Sequence, residues 1–142
     1  MVIVGNELSL EEKEKVKSKI VDLLQMDEKV RFAYLHGSFL KGEFNDIDLA
    51  VYVSGNGSLD NKEIVDFELK KEVEISKSIG FEVDLRCLNY APNSFCYNVI
   101  KNGELLFSFD ESLRSDFESL VLVKHHDFKR FRKRYREQAI GV

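Results

Sequence analysis

No stretch of this sequence approaches the roughly 18–20 apolar residues needed to cross a bilayer, so no membrane-spanning helix is expected. Cysteine is scarce: Cys87 and Cys96 are not in CxxC spacing, and no His lies near them in sequence. That argues against a zinc or redox motif and for two reduced, partly buried thiols. The opening MVIVGNELSLEEKEK has no basic segment leading into a long apolar one, so no signal peptide is expected and a cytoplasmic location follows. Histidine is also rare. His125 and His126 are adjacent, so on a helix they diverge by about 100° and cannot easily share a metal. No Ser/His/Asp or Cys/His pairing stands out, which leaves no obvious nucleophilic catalyst. Repeats, low-complexity tracts and linkers are all missing.

The 142 residues are 44% hydrophobic and 32% charged, a composition that forms a real core rather than a disordered chain. One domain over residues 1–142 is expected. The net charge of −4 is unevenly spread: residues 1–123 hold 14 Lys/Arg against 23 Asp/Glu, and residues 124–142 hold 7 against 2. KHHDFKRFRKRYRE is thus the one strongly basic segment. It can meet an acidic partner or a nucleic acid, or be the solvated face of a last helix.

Residues 9–26 predict a helix, with Ser9 and Glu12 at capping-box spacing and Val16, Ile20, Leu23 and Leu24 as its apolar stripe. Strands are expected at 30–36 and 46–53, the second with Ile47, Leu49, Val51 and Val53 on one face. SGNGS at 54–58 reads as a loop. Asp60 or Asn61 starts a long helix to about Ser78, with Val65, Leu69 and Val73 as its stripe, and Gly80 ends it. A third strand at 81–88 alternates, with Phe81, Val83 and Leu85 facing away from Glu82, Asp84 and Arg86. A turn at 90–93, a short helix at 93–102 stopped by Gly103, and a fourth strand at 104–109 follow. The final, basic helix covers 110–136 (about 110–138 at most), with a break expected near Lys124. Its stripe is Leu113, Phe117, Leu120 and Val121, continued by Phe128, Phe131 and Tyr135. Helices alternating with strands predict α/β (α+β) architecture, a small mixed sheet flanked by helices.

Residues 35–53, LHGSFLKGEFNDIDLAVYV, carry the chemistry. Gly37 can adopt backbone angles other residues avoid and lets a ligand approach the main chain. A helical turn starting at Ser38 offers free N–H groups suited to a phosphate, and Lys41 adds a positive charge one turn later. Asp46 and Asp48 are i and i+2 on a strand and share a face. Two unpaired carboxylates side by side repel and are costly to bury, but a divalent cation between them removes the conflict. Mg²⁺, held by one or two carboxylates plus substrate phosphates, fits that chemistry. Asp84 on the third strand is the candidate third carboxylate, with Glu82 on the same face as its competitor. His36 reads as a structural or nucleotide-lining residue.

In this order the residues resemble the minimal nucleotidyltransferases of the DNA polymerase beta superfamily, whose signature is Gly-Ser, then Asp-x-Asp, then an Asp on a later strand. Here the motif is HGSFLKGEFNDIDLAV followed by FEVDL. The segment from Ser94 to Glu137, with its Gly-Glu-Leu-Leu-Phe strand, is similar to the C-terminal part of stand-alone members that serve as antitoxins in HEPN/MNT toxin–antitoxin pairs. Seven residues separate Ser38 from Asp46, about three fewer than is usual in the family. The resemblance implies the nucleotidyltransferase fold and an ATP triphosphate held over Gly37 and Ser38. It implies Asp46, Asp48 and Asp84 as catalytic and metal ligands, for two Mg²⁺ ions in the usual manner. It also implies AMP transfer to a tyrosine hydroxyl of a cognate HEPN ribonuclease toxin, as in a type VII-like toxin–antitoxin pair.

Two other functions stay open at this level. The chain could neutralise its toxin by contact alone, through the basic last helix, or it could modify a small molecule, although it lacks the extra helical domain such enzymes usually carry. A polymerase role is not expected, since only residues 124–136 are basic. Arg31 and His36 mimic the Arg-x4-His ribonuclease motif of HEPN toxins, but on a strand, where that helical chemistry does not apply. A homo- or hetero-oligomer is compatible with all of these.

Overall fold

The computed structural model describes residues 5–54 and 59–139, with side chains through residue 136. Most of the expected SGNGS loop lies outside the described residues. In chain order the elements are α1 (Leu10–Gln25), β1 (Val30–His36), a 3-10 turn (Ser38–Leu40), β2 (Ile47–Val53), α2 (Asn61–Ile79), β3 (Val83–Cys87), α3 (Asn93–Asn102), β4 (Glu104–Ser108) and α4 (Glu111–Ala139). The sheet runs β3-β2-β1-β4. β1 is antiparallel to both β2 and β4, and β2 is parallel to β3. This is the mixed, helix-flanked sheet the sequence predicts.

Local chemistry sets the boundaries. Ser9 and Glu12 form the capping box on α1, and the Asp60 side chain accepts from the Glu63 N–H at 2.8 Å to start α2. Gly80 closes α2 at φ +79, in the left-handed region that favours glycine. Odd-numbered strand residues such as Leu35, Leu49, Val51 and Leu85 join Ile20, Leu24, Ile64 and Ile75 in one core under α1 and α2. Even-numbered Phe32, Tyr34 and Ala50 form a second core with Cys96, Val99 and Val121 under α3 and α4. Both cysteines are free and buried.

Two stripes differ from expectation. Val65, Leu69 and Val73 are 49%, 56% and 54% exposed. The face of α2 turned inward is Ile64, Phe67, Lys71 and Ile75. Beside it, Glu68, Glu72 and Ser76, spaced four apart, accept the outward N–H groups of Cys87, Leu85 and Val83 at 2.9, 2.9 and 3.2 Å. β3 is an edge strand, and these side chains satisfy backbone donors that no further strand among the described residues takes. Glu72→Leu strands the Leu85 N–H and is expected to cost about 1–3 kcal/mol. Glu72→Gln keeps an acceptor and should cost far less; urea denaturation of both variants checks this.

The second difference is α4. It runs without the break expected near Lys124, because no Gly or Pro lies between residues 111 and 139 to interrupt it. Leu120 is exposed rather than on the packed stripe, which consists of Leu113, Phe117 and Val121.

Lys71 is the one buried charged residue among the described residues. Its ammonium sits 3.2 Å from Asp27 and 3.3 Å from Glu74. Burial alone would raise the Asp27 carboxyl, but the Lys29 N–H and the Lys71 ammonium outweigh it and hold it below the usual carboxylate value. A depressed folded pKa contributes stability above the ordinary carboxylate range and loses it as pH falls through the folded value. With allowance for the partial exposure of this carboxylate, Asp27→Asn is therefore expected to cost about 1 kcal/mol at pH 7. The difference from wild type should close as the pH drops below the carboxylate range, as thermal melts across pH will read.

Candidate active site

The site is built at one end of β1, β2 and β3. β1 runs into Gly37, where φ +81 turns the chain into the turn Ser38–Leu40. That turn closes through Leu40 N–H to Gly37 O at 3.2 Å and Lys41 N–H to Ser38 O at 2.9 Å. The loop back to β2 is short but anchored. Phe39 and Phe44 are buried and pack edge to face at 4.8 Å. The Lys13 ammonium on α1 donates to Phe39 O at 2.6 Å and Gly42 O at 2.9 Å. Asn6 and Phe44 exchange backbone hydrogen bonds at 2.7 and 3.0 Å. With both ends and both aromatic side chains held, the loop has little freedom to drift.

Strand register then sets the polar residues level with one another. His36 pairs with Asp48 across the antiparallel β1/β2 ladder, and Asp48 pairs with Asp84 across the parallel β2/β3 ladder. Level partners in a sheet leave it on the same side. For these three it is the side covered by α3, since Ala50 and Tyr34 on the same face pack there. Asp46 lies in a bend just before β2, so the strand begins one residue later than expected. Its charge still reaches Asp48 and His36. Glu82, the competitor to Asp84, is exposed ahead of β3. Its carbonyl accepts from Ile47 N–H at 2.9 Å, and its charge is not among those acting on Asp48.

Gly37 is closed against this cluster. A Cβ at that position would fall on Asp48 Oδ2 and stand 3.1 Å from its Cγ. The electrostatics match the crowding. Burial, then the Asp46 and Asp84 carboxylates, push the Asp48 carboxyl up to about 6, against the opposing pull of Arg86. Burial likewise lowers His36 below the ordinary imidazole value, with Asp84 and Asp46 opposing and Arg86 assisting.

Among the described residues, no three or more His, Cys, Asp and Glu side chains are already drawn together as a cation cage. Coulombic coupling needs only proximity, whereas a cage needs oxygen atoms turned toward one point. The donor chemistry still suits a hard divalent cation: carboxylates from adjacent strands, one of them half-buried and crowded by two like charges that a cation would neutralise.

Lys41 is exposed and lines a separate hollow of about 270 Å³ with Lys13, Lys17 and Leu40, not the cleft that contains Asp84. That cleft, about 380 Å³, lies between α2 and β3 and is also lined by Arg86, Tyr90 and Pro92. Arg86 and Phe95 are site residues that motif reading passes over. The Arg86 guanidinium carbon is 5.5 Å from the Phe95 ring centre, and His36 meets the same ring edge-on at 5.5 Å. Arg86 was findable: it is two residues beyond Asp84 on the same strand face. Phe95 was not, because only the packing of α3 on the sheet brings it there.

No curated protein matches the chain. Among solved structures the fold is similar to a chain in the complex of a tri-AMPylated Shewanella oneidensis HEPN toxin with an MNT antitoxin. That match has 22% identity, covers 91% of this chain and 99% of that one, and has a TM-score of 0.67. It is also similar to a chain of the toxin–antitoxin MntA-HepT, at 21% identity, 90% and 99% coverage and TM-score 0.67. A third is a toxin–antitoxin structure with AMP-PNP, at 22%, 88% and 98%, and 0.68. Among the described residues no helix is long and apolar enough to cross a membrane. Residues 18–112 match the family described as polymerase beta, nucleotidyltransferase. That span takes in all four strands, the Gly37 turn and the three aspartates, and so the chain belongs to the polymerase beta nucleotidyltransferase family.

Proposed function

We propose that this chain is a Mg²⁺-dependent nucleotidyltransferase that moves AMP from ATP to a tyrosine hydroxyl of a HEPN ribonuclease toxin made with it, acting in the cytoplasm as the antitoxin of a type VII-like pair. The observation that carries this reading is the level pairing of Asp48 with Asp84, with Gly37 closed against the Asp48 carboxylate. Family membership supports the reaction class, and the antitoxin fold of the similar solved structures supports the biological setting.

In this reading the ATP phosphates lie over Gly37 and Ser38, beside the Asp48 carboxylate whose charge a bound cation would offset, and Lys41, lining its separate hollow at the end of the turn, adds positive charge from a distance. Asp46, Asp48 and Asp84 are the residues that would hold Mg²⁺, which supplies charge neutralisation for the triphosphate. Asp84, at the cleft, orients the acceptor hydroxyl and takes its proton. The acceptor oxygen forms a bond to the α-phosphorus as the bond from that phosphorus to the pyrophosphate oxygen breaks. AMP stays on the acceptor and pyrophosphate leaves. Arg86, braced on Phe95, balances the negative charge of the aspartates.

The test is direct. The protein is incubated with Mg²⁺, ATP labelled at the α-phosphate and the product of the neighbouring gene. Label on that product, absent with Asp46→Ala/Asp48→Ala, supports the enzyme. Neutralisation of the toxin that survives this double substitution with no label transferred would replace the enzyme with an antitoxin that works by contact. Label on an aminoglycoside from a panel in the same tube, and none on protein, would point to small-molecule transfer.

A further inference from the structure

We propose that the free end of α4 is a docking surface, and that its occupant is an acidic face of the acceptor protein itself. The inference rests on the function proposed above and adds where and how that partner is held.

The packed part of α4 ends abruptly. Val121 is buried, its carbonyl accepts from the Asn93 side chain at 3.1 Å, and His125 stacks on Tyr97 at 3.6 Å. From residue 126 to 136 every side chain is exposed. At about 1.5 Å per residue, the helix extends about 16 Å past its last packed turn. Phe128, Phe131 and Tyr135 are 61%, 66% and 65% exposed. Their spacing of i, i+3 and i+7 continues the stripe that Phe117 and Val121 bury upstream. Three large rings on one face of a protruding helix are anchors without a groove.

Charge selects the groove. Residues 124–136 carry seven Lys/Arg and one Asp, so the surface that receives them must be acidic. Place selects the partner. Asn93 holds α4 at Val121 and Tyr97 holds it at His125, so the helix runs along α3 before it leaves the body. The basic helix therefore leaves the body from α3, the helix whose Phe95 packs against His36 and Arg86 of the site. A nucleic acid fits less well. Ring anchors at helical spacing match a protein groove.

The probe is the purified product of the neighbouring gene, with association to the full chain measured by calorimetry at low and high salt. The triple substitutions Phe128→Ser/Phe131→Ser/Tyr135→Ser and Arg130→Glu/Arg132→Glu/Arg134→Glu are each expected to weaken association about thirtyfold or more. Binding of ATP with Mg²⁺ and the melting temperature should be unchanged, and wild-type association should weaken steeply with salt. Association that neither set alters overturns this inference and leaves the proposed function standing. Wild-type dimers lost in the variants, or a duplex RNA bound through these residues in place of the protein, also overturn it. Failure of the wild-type chain to bind or label the neighbouring product overturns both.

Discussion

Replacing Asp46 and Asp48 together by asparagine is expected to cut AMP transfer about a thousandfold while leaving the fold intact. Asparagine keeps the shape of each side chain and removes the charge that would hold the cation and its phosphates. The same change should make the ligand-free protein more stable, which separates a lost function from a lost fold. Asp48 is pushed up to about 6 by burial and by its acidic neighbours. Its folded pKa is raised, so the ionised carboxylate destabilises the native state fully above pH 6, and the penalty shrinks as pH falls below that value and is gone below the ordinary carboxylate pKa. Asp48→Asn alone removes it at every pH. With allowance for partial exposure the gain is about 1–2 kcal/mol at pH 7.5, read as a higher midpoint in urea. A variant that loses activity and stability together would mean that Asp48 is a structural residue.

Gly37→Ala is expected to fail on both counts. The residue sits at φ +81, a conformation that costs a side chain about 1 kcal/mol or more. The added Cβ also lands on the Asp48 carboxylate, with Asp48 Cγ and Cβ at 3.1 and 3.3 Å. Neither can yield easily, because Asp48 is fixed by ladder pairing on both sides and the loop after Gly37 is fixed by Phe39 and Lys13. A loss of about 3 kcal/mol is expected from backbone strain and overpacking together, along with near-complete loss of transfer. The comparison with Gly42→Ala is informative. Gly42 also has a positive φ, +144, but a Cβ there meets nothing within 4 Å. Its substitution should cost backbone strain alone and spare most of the activity. Equal damage from the two substitutions would show that strain, not contact with Asp48, sets the Gly37 requirement.

Much of this was legible from residue order. Ser9 and Glu12, Asp60 and Gly80 are local signals whose partners lie within four residues, and each acts where the sequence placed it. The alternation of Val83, Asp84, Leu85 and Arg86 also follows from a local period of two, and it put Asp84 on the face it occupies. The α2 stripe was misread for a physical reason. Its inner side carries Lys71, neutralised by Asp27 from another element, and Glu68 and Glu72, which bond a strand edge. Polar residues turned inward for long-range partners hide the true face, and Val65, Leu69 and Val73 look like the core. Phe95 and Lys13 were likewise hidden, since α3 and α1 reach the site only through tertiary packing. The register that sets Asp48 level with Asp84 was assumed from the motif; the parallel pairing of β2 and β3 supplies it.

The most direct measurement is anomalous diffraction from crystals soaked with Mn²⁺ and a non-hydrolysable ATP analogue. Manganese located among the carboxylates of Asp46, Asp48 and Asp84, with the analogue's phosphates against Gly37 and Ser38, is the predicted result. Manganese and nucleotide bound elsewhere, or an aspartate cluster that stays empty at saturating concentrations of both, would contradict the account.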